Sequence, residues 1–255
     1  MVIQQLLAFS AVLVACLAVS AQGTEFAIYK LSLTWPASAC IPTKNCKTPI
    51  PKFFTIHGLW PTYKSDKPVP PYDATTNKCN VNPVRPQDLV PKLATIRPRL
   101  ETKWPNLRVG KTDDIFWETE WAHHGMCSDY PQDPLTYFDV TLNLSNLYDP
   151  LRVLGVQPSN TPHPIETLLE NVYKNLGAYP QISCNMPVKG KQLYLKEIRF
   201  CFKRARPPFE LRNCTVDMDD MCSILEFRCL CSSSRVLSSS KQWYGRWSGK
   251  SRFSK

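Results

Sequence analysis

Beyond its first 21 residues the sequence contains no apolar run that approaches the length of a membrane span. The run at the start, LLAFSAVLVACLAVSA, is short for a span and ends in small residues, Val19 and Ala21, that suit cleavage before Gln22. The opening MVIQQ lacks the positive charge usual in such leaders. We interpret residues 1–21 as a secretory signal peptide and expect a secreted, extracellular protein with no membrane partner.

Close CxxC pairs are also absent, which argues against a cytosolic zinc protein. Of the eleven cysteines, Cys16 lies in the leader, and the remaining even number suits disulfide bonding in an oxidising compartment. In a secreted chain, the two sequons that begin at Asn143 and Asn213 are candidate N-glycosylation sites.

Acidic residues are fewer than basic ones, 21 against 31, which gives a formal net charge of +10. Residues 229–255 contain six Lys or Arg and no acid, so the rest of the chain carries 25 basic and 21 acidic residues, a net +4. Positive charge favours acidic partners, nucleic acid among them, but it is equally typical of a soluble basic secreted protein. Charge alone does not single out RNA.

No internal repeat divides the 255 residues, a length that suits one large domain, or one domain with appendages. Alternating apolar residues predict a half-buried strand over residues 29–35, stopped by Pro36. KFFTIHGLWP begins as a strand that we expect to break at Gly58 and Pro61. A later strand is predicted around residues 198–202, and CSILEF is a candidate for the last one.

Helical spacing of apolar residues predicts a helix over residues 165–176, with Pro164 and Gly177 as start and stop signals. A second helical pattern is expected to be divided by Pro91 and Pro98. Separate stretches of strand and helix together predict an α+β domain.

Two segments have the composition of irregular structure. Residues 62–86 are rich in Pro, Lys and Asp, and we expect a long exposed loop there. From residue 232 onward Ser, Lys and Arg replace aliphatic residues. We therefore interpret residues 22–231 as the folded domain and residues 232–255 as a basic, disordered tail.

The segment WETEWAHHGMC, residues 117–127, contains two of the four histidines of the chain. On a helix, positions four apart share a face, which places Glu120 beside His124 and Thr119 beside His123. Such a helix presents a carboxylate and an imidazole together. For a lone histidine, however, a structural role is the commoner explanation.

The neighbours of this segment predict how the helix begins, ends and is anchored. Asp113 or Asp114 is expected to cap its start, and Gly125 to end it. Trp117 and Trp121 form an aromatic stripe, which belongs to a protein core more often than to a binding site. The tryptophans are thus expected to anchor the helix while its polar side chains face the site.

His57 lies where the predicted strand FFTIHGLWP ends; Gly58 permits a tight turn and Trp60 offers a flat aromatic face. Together, FTIHGLWP and FWETEWAHHGMC resemble the two active-site segments of the ribonuclease T2 family, usually HGLWP and FWxHEWxKHGTC. Supporting matches run from LSLTWPASAC near residue 31 to CSILEF near residue 222. The resemblance implies an α+β fold, with a central antiparallel sheet, packed helices and stapling disulfides.

The resemblance also implies a reaction, the endonucleolytic cleavage of single-stranded RNA. A base takes the proton of the 2′-hydroxyl, an acid protonates the departing 5′-oxygen, and a 2′,3′-cyclic phosphate forms, so DNA is excluded. By resemblance His124 is the base and His57 the acid. Glu120 assists by hydrogen bonding and by stabilising the charged form of its neighbour. Trp60 would stack on a base of the RNA. No metal or other cofactor is required.

Two positions depart from the usual family pattern. Thr119 stands where many members have His, and His123 stands where they have Lys. In the family both positions help to hold the phosphate. Thr119 can donate one hydrogen bond but carries no charge, and His123 is charged only when protonated, so we expect activity to favour acidic pH.

The family pattern also implies four disulfides: Cys40–Cys46, Cys79–Cys127, Cys184–Cys222 and Cys201–Cys214. Cys229 and Cys231 remain, either paired elsewhere or free. For the tail after them, a disordered extension or a gene-prediction artefact is the favoured interpretation, and a basic RNA-contacting arm is the alternative.

Signal peptide, charge and sequence style are most similar to the plant self-incompatibility ribonucleases, which implies a monomer with an F-box protein as a further partner. The alternatives are an S-like ribonuclease for RNA catabolism, phosphate recovery or defence, and a catalytically weak binding or signalling protein. A metal-dependent hydrolase built on His123, His124 and Cys127 is a more distant hypothesis.

Overall fold

The computed structural model describes residues 25–40, 45–158, 163–185, 194–215 and 228–229. In chain order the strands are β1 (Ile28–Thr34), β2 (Thr55–Thr62), β3 (His163–Pro164), β4 (Gln181–Asn185), β5 (Tyr194–Lys203), β6 (Leu211–Arg212) and β7 (Arg228–Cys229). The α-helices are α1 (Pro36–Ala39), α2 (Arg97–Lys103), α3 (Asp113–His123), α4 (Pro134–Leu147), α5 (Pro150–Val153) and α6 (Ile165–Leu176). Shorter 3-10 segments cover Pro86–Asp88, Val90–Ile96 and Gly125–Cys127.

Five strands form one antiparallel sheet, in which β2, β1, β5 and β4 lie side by side and β6 pairs with β5. The strands β3 and β7 form a separate antiparallel pair. This arrangement confirms the predicted α+β fold with a central antiparallel sheet. Among the described helices, none is long and apolar enough to cross a membrane.

The two faces of the sheet differ in chemistry, because residues directly opposite each other in a ladder point to the same side. One face is apolar, with the β1–β5 pairs Tyr29–Phe202, Leu31–Phe200 and Leu33–Ile198. The other face carries the pairs Lys30–Cys201, Ser32–Arg199 and Thr34–Glu197.

The prediction that β1 is half-buried was wrong, since all seven of its residues are buried. The polar face is covered because its side chains bind other buried groups instead of water. Lys30 donates to Asp66 at 2.7 Å and to Gln181 at 3.0 Å. Polar alternation in this strand therefore marks an internal polar layer, and that layer carries the candidate site.

The prediction that the second strand breaks at Gly58 and Pro61 was also wrong, since β2 runs through both to Thr62. In the described sheet β2 pairs on one side only, with β1, and an edge strand tolerates the missing N–H of a proline. The oxygen of Pro61 accepts from the N–H of Val69 at 3.1 Å, which binds the following loop to this strand.

Several other sequence predictions are confirmed. The helix α6 covers residues 165–176 and ends at Gly177, which adopts a left-handed φ of 72°. The pattern containing Pro91 and Pro98 is divided into a 3-10 segment and α2. Residues 63–85 contain no helix and no strand beyond isolated bridges, as expected of a long loop.

The start of α3 differs from the prediction. Thr112, not Asp113 or Asp114, is the N-cap, and its hydroxyl accepts from the N–H of Ile115 at 3.2 Å. The two aspartates lie in the first turn, where negative charge interacts favourably with the helix dipole.

Three of the predicted disulfides are present, Cys40–Cys46, Cys79–Cys127 and Cys201–Cys214. Cys184 is also disulfide-bonded, but its predicted partner, Cys222, lies outside the described residues. The predicted signal segment, the CSILEF strand and the tail lie outside them as well. The Cys79–Cys127 bond ties the long loop to the turn that follows α3.

Candidate active site

His57 is the extra residue of a β-bulge. Its neighbours Ile56 and Gly58 pair with consecutive residues of β1, so His57 has no partner in that ladder. Bulges redirect the side chain at the point where they occur. The backbone oxygen of His57 accepts a hydrogen bond from Trp104 Nε1 at 2.9 Å, which holds the bulge against the core. An irregularity in the strand thus positions this imidazole.

Two tryptophans anchor α3. Trp117 and Trp121 are fully buried, which confirms that their stripe belongs to the core. Their ring nitrogens donate to the backbone oxygens of Trp104 at 2.8 Å and Val84 at 2.7 Å. The helix therefore has a fixed rotation about its axis, which determines where its polar residues point.

The helix ends at His123, two residues before the predicted end at Gly125, and His124 occupies the C-cap. The backbone N–H of His124 donates to the backbone oxygen of Glu120 at 2.9 Å. The predicted neighbourhood of these two positions, four apart, therefore persists at the helix end. Gly125 has another role: a Cβ there would overlap the buried ring of Trp121. The glycine lets the chain turn closely around that ring.

Glu120 lies between the two histidines. Its Oε1 is 3.7 Å from His57 Nε2 and its Oε2 is 4.0 Å from His124 Nε2, within ion-pair range but longer than hydrogen bonds. The hydrogen bond of this carboxylate comes from Trp60 Nε1, at 3.1 Å from Oε2. A Cβ at Gly58 would overlap both Glu120 Oε2 and Trp60 Nε1, so this position requires glycine for close approach and not for a turn.

A second carboxylate, which sequence reasoning missed, contacts the other side of His57. Glu197 Oε1 lies 2.7 Å from His57 Nδ1. The same carboxylate accepts from Ser32 Oγ at 3.3 Å, Thr34 Oγ1 at 3.4 Å and Arg199 Nη2 at 2.9 Å. The available sequence signal was that Glu197 and Arg199 alternate with apolar residues inside a strand, as buried polar partners do.

His57 and Glu197 favour their charged forms. Burial by itself would lower the pKa of His57, but the hydrogen bond to Glu197 and the charges of Glu120 and Glu197 raise the pKa above its ordinary value of 6.5. Burial would raise the pKa of Glu197, but the hydrogen bond to His57 and the charges of His57 and Arg199 lower this pKa to about 2. The pair therefore favours a charged imidazole beside an ionised carboxylate.

His124 favours its neutral form. Burial, together with the charges of His123 and His57, lowers the pKa of His124 to about 3. Its buried Nδ1 has no hydrogen-bond partner among the described residues. Burial also raises the pKa of Glu120, although the charge of His57 and the hydrogen bond from Trp60 oppose this effect. The surroundings thus favour the charged form of His57 and the neutral form of His124.

The structure places the remaining predicted site residues around this pair. The Trp60 ring centroid lies 5.1 Å from that of His57 and 5.2 Å from that of His124. Thr119 and His123 are exposed on α3, and the ring of His123 is 6.1 Å from that of His124. The Thr119 hydroxyl donates to the backbone oxygen of Ile115 at 2.7 Å, so its proton points along the helix.

A cavity of about 260 Å³ adjoins His57 and Glu197. Its other lining residues include Asn106, Arg108, Phe116 and Lys196. The Asn106 side chain is fully engaged in the loop: its amide donates to the oxygens of Arg108 at 3.0 Å and Lys111 at 2.8 Å, and its oxygen accepts from the N–H of Arg108 at 3.1 Å. One wall of the cavity is thus a preformed loop with two cations nearby.

Among the described residues, no group of three or more His, Cys, Asp and Glu side chains is arranged to hold a metal ion. Cys127, one of the ligands considered for a metal, is in a disulfide bond with Cys79. The sequon asparagines, Asn143 and Asn213, are both exposed. Glycosylation of these residues stays a prediction.

Comparison with known proteins now identifies the family. The sequence model of the Ribonuclease T2 family matches residues 26–214. The chain belongs to this family. The prediction that it is a T2-type ribonuclease is thereby confirmed, and the two histidine segments lie inside the matched range.

Individual relatives agree with this assignment. Intracellular ribonuclease LX of Solanum lycopersicum is 31% identical over 75% of this chain and 80% of its own length. A mutant of RNase MC1 in complex with 5′-GMP superposes with a TM-score of 0.65 at 24% identity, covering 81% of this chain and 100% of that one. The self-incompatibility-associated SF11-RNase of Nicotiana alata superposes with a TM-score of 0.57 at 25% identity, covering 82% and 100%.

Proposed function

We propose that this ribonuclease cleaves single-stranded RNA by transphosphorylation through a 2′,3′-cyclic phosphate, with His124 as the general base and His57 as the general acid. The observation that carries the proposal is that two histidines with opposite electrostatic surroundings face one carboxylate, Glu120. A base must begin neutral and an acid must begin protonated, and the environments of these two groups favour those states.

The first step is the attack of the 2′-oxygen on phosphorus. His124 Nε2, which faces Glu120, accepts the proton of the 2′-hydroxyl as this oxygen forms its bond to phosphorus. His57 Nε2 gives its proton to the departing 5′-oxygen as the P–O bond breaks. Glu120 lies near both nitrogens and stabilises whichever imidazole is charged. DNA lacks the 2′-hydroxyl and is not a substrate for this reaction.

The cavity beside His57 is the expected site for the base on the leaving side of the phosphate, because the acid must contact the leaving oxygen. Phe116 supplies an aromatic surface there, and Arg108 and Lys196 supply positive charge near the RNA backbone. The structural relative RNase MC1, a mutant of which binds 5′-GMP, supports a nucleotide-sized pocket in this fold. We assign Trp60 to stacking on the other side of the phosphate.

Thr119 and His123 remain candidates for holding the phosphate. His123 is exposed beside His124 and adds positive charge when protonated, which favours activity at acidic pH. Thr119 contributes less in the observed rotamer, because its proton is donated to Ile115. The hydroxyl must rotate before it can donate to a phosphate oxygen.

We further propose that the protein is exported after removal of residues 1–21 and acts as a monomeric self-incompatibility ribonuclease with an F-box protein partner. The leader sequence, the basic charge and the likeness to SF11-RNase support this role. The tomato relative, named as an intracellular ribonuclease, favours the alternative of general RNA catabolism. Transcript and protein confined to the pistil would support the first role, and abundance in leaf or root would support the second.

Incubation of the protein with RNA and a chelator tests the reaction. We expect cleavage in the presence of chelator, with oligonucleotides ending in 2′,3′-cyclic phosphate. A matched RNA with a single 2′-deoxy residue at the scissile position should resist cleavage there. Binding of RNA without cleavage would instead support the binding or signalling alternative, and loss of cleavage with chelator would overturn the metal-independent mechanism.

A further inference from the structure

We infer that Glu197 is the positioning residue of His57: it holds the Nδ1 proton in both charge states of the ring, so that Nε2 is the nitrogen that delivers the catalytic proton. The inference rests on the proposed two-histidine mechanism and adds to it a residue outside both histidine segments. Glu197 does not contact the reacting atoms in this arrangement; it acts through His57.

Geometry supplies the first support. Glu197 is 2% exposed and lies 2.7 Å from His57 Nδ1, the shortest of the polar contacts described for that ring. An ionised carboxylate only accepts hydrogen bonds, so Nδ1 must carry a proton whenever this bond exists. The second ring nitrogen, Nε2, points toward Glu120 at 3.7 Å and toward the space shared with His124. One side of the imidazole is thus fixed and the other faces the reaction.

The surroundings of Glu197 keep it ionised. Hydroxyls of Ser32 and Thr34 and the guanidinium of Arg199 all donate to it, from two neighbouring strands. Arg199 is itself held, since its Nη1 donates to Gln181 at 3.1 Å. A buried carboxylate with several donors is stable in its charged form, and it cannot rotate without breaking these bonds.

A network of buried polar groups extends the fixation across the sheet. Gln181 Oε1 accepts from both Arg199 and Lys30, and Lys30 pairs with the buried Asp66. The His57 ring is thereby connected through four strands to the long loop. Since Glu197, Arg199 and Gln181 lie on paired strands and each binds at least two other groups, the carboxylate is a rigid support for the imidazole.

Other charges also act on His57 and must be separated from Glu197. They are Glu120 and His124 on the helix side and Arg199 on β5; Lys196 and Arg108 also line the cavity beside the ring. Glu120 favours the charged ring from the Nε2 side, whereas the charge of Arg199 opposes it. A test must therefore change the charge of Glu197 without moving these neighbours.

The Glu197→Gln substitution removes the charge and preserves the shape, since Gln keeps an oxygen able to accept from Nδ1. Titration of the His57 ring by NMR should give a midpoint lower than in wild type by about 1 pH unit or more. We expect kcat for RNA cleavage to fall about 10–100-fold with little change in KM. The alkaline limb of the kcat–pH profile, which reports the acid, should move to lower pH by the same amount.

Asp66→Asn is the matched control, because it removes a carboxylate whose side chain is only 7% exposed from the far end of the same network, and no contact between it and His57 is described. It should lower stability but leave the His57 midpoint and the pH profile unchanged. If Glu197→Gln does not fold, the double variant Glu197→Gln with Arg199→Gln removes both opposite charges; because the Arg199 charge itself lowers the pKa of His57, its midpoint is compared with that of Arg199→Gln alone. Glu197→Asp, which keeps the charge, should retain part of the raised midpoint.

An unchanged His57 midpoint in Glu197→Gln, or an equal change in Asp66→Asn, would overturn the role of Glu197. Neither result depends on RNA cleavage, because the titration is measured on the free protein. Failure of the proposed reaction would be recognised separately, as wild-type protein that does not form cyclic phosphate or as His57→Ala protein that retains full activity. The two hypotheses can thus fail independently.

Discussion

The two halves of the candidate active site place similar imidazoles in contrasting surroundings. His57 lies on a bulged edge strand, and its Nδ1 is hydrogen-bonded to a buried carboxylate. His124 lies at the end of a helix anchored by tryptophans, and its Nδ1 has no hydrogen-bond partner in the described part of the chain. Burial lowers the pKa of both rings, but only His57 has a partner that reverses the effect. The partner, not the depth of burial, decides which histidine favours its charged form and is therefore proposed as the acid.

The sharpest test of this contrast compares two substrates whose leaving groups differ in their need for a proton. His57→Ala and His124→Ala should each lower cleavage of an RNA dinucleotide by about 10²–10⁴-fold, the usual contribution of general acid–base catalysis. With a uridine 3′-(4-nitrophenyl phosphate) substrate the leaving group departs without a proton. Activity of His57→Ala should then recover most of the way to wild type, whereas His124→Ala should stay inactive. Steady-state rates on both substrates measure this, and recovery by His124→Ala instead would reverse the acid and base assignments.

A second test uses the glycine beside each histidine. In Gly58→Ala the new methyl displaces Glu120 and Trp60, so we expect a loss of kcat of at least about tenfold, comparable to other losses of supporting contacts. In Gly125→Ala the methyl meets the buried Trp121 ring, so the main effect should be on stability, about 1–3 kcal/mol. Urea unfolding and kcat of both variants separate the two effects. If Gly58→Ala and Gly125→Ala lose activity and stability in the same proportion, the two glycines do not have different roles.

The two histidine segments predicted most of the site from sequence. His57, Glu120 and His124 meet as expected, and the tryptophan stripe anchors the helix. These predictions succeeded because positions four apart on a helix are neighbours and because the segments resemble those of a known family. Local spacing carries enough information for such contacts.

Glu197 could not be found in the same way. It is separated from His57 by 140 positions, and the two meet only because the bulge of β2 and the register of β5 bring them to one face of the sheet. Neither the bulge nor the register follows from hydrophobic alternation. The same alternation misled the prediction for β1, whose polar side chains face an internal network and not water. Burial of polar residues depends on partners that lie far away in sequence.

The third prediction concerns stability against pH. Below about pH 6.5 the unfolded chain binds a proton at His124, which the folded protein, with a pKa of about 3 there, does not bind, so wild type loses stability as pH falls. His124→Gln removes this loss and should gain about 2 kcal/mol relative to wild type between pH 8 and pH 5.

The raised pKa of His57 has the opposite effect on stability. The stabilisation from this group is complete below about pH 6.5 and is lost as pH rises through its pKa in the folded protein. His57→Gln should therefore become less stable, relative to wild type, as pH falls. Urea unfolding of both variants at the two pH values measures these effects. If the stabilities of the two variants, relative to wild type, change in the same direction between these pH values, the two histidines do not lie in opposite environments.

The smallest expected effect lies on the exposed face of α3, next to His124. His123→Lys supplies a charge that persists at neutral pH, so the activity optimum should move to higher pH, with a gain of a few-fold at pH 7.5, on the order of 1 kcal/mol or less. Thr119→Val is the matched control on the same exposed face, because the Thr119 hydroxyl donates to Ile115 and carries no charge. Its pH profile should follow that of wild type. Profiles of kcat/KM for the three proteins decide the question: if the His123→Lys profile coincides with that of wild type, His123 does not hold the phosphate through its charge.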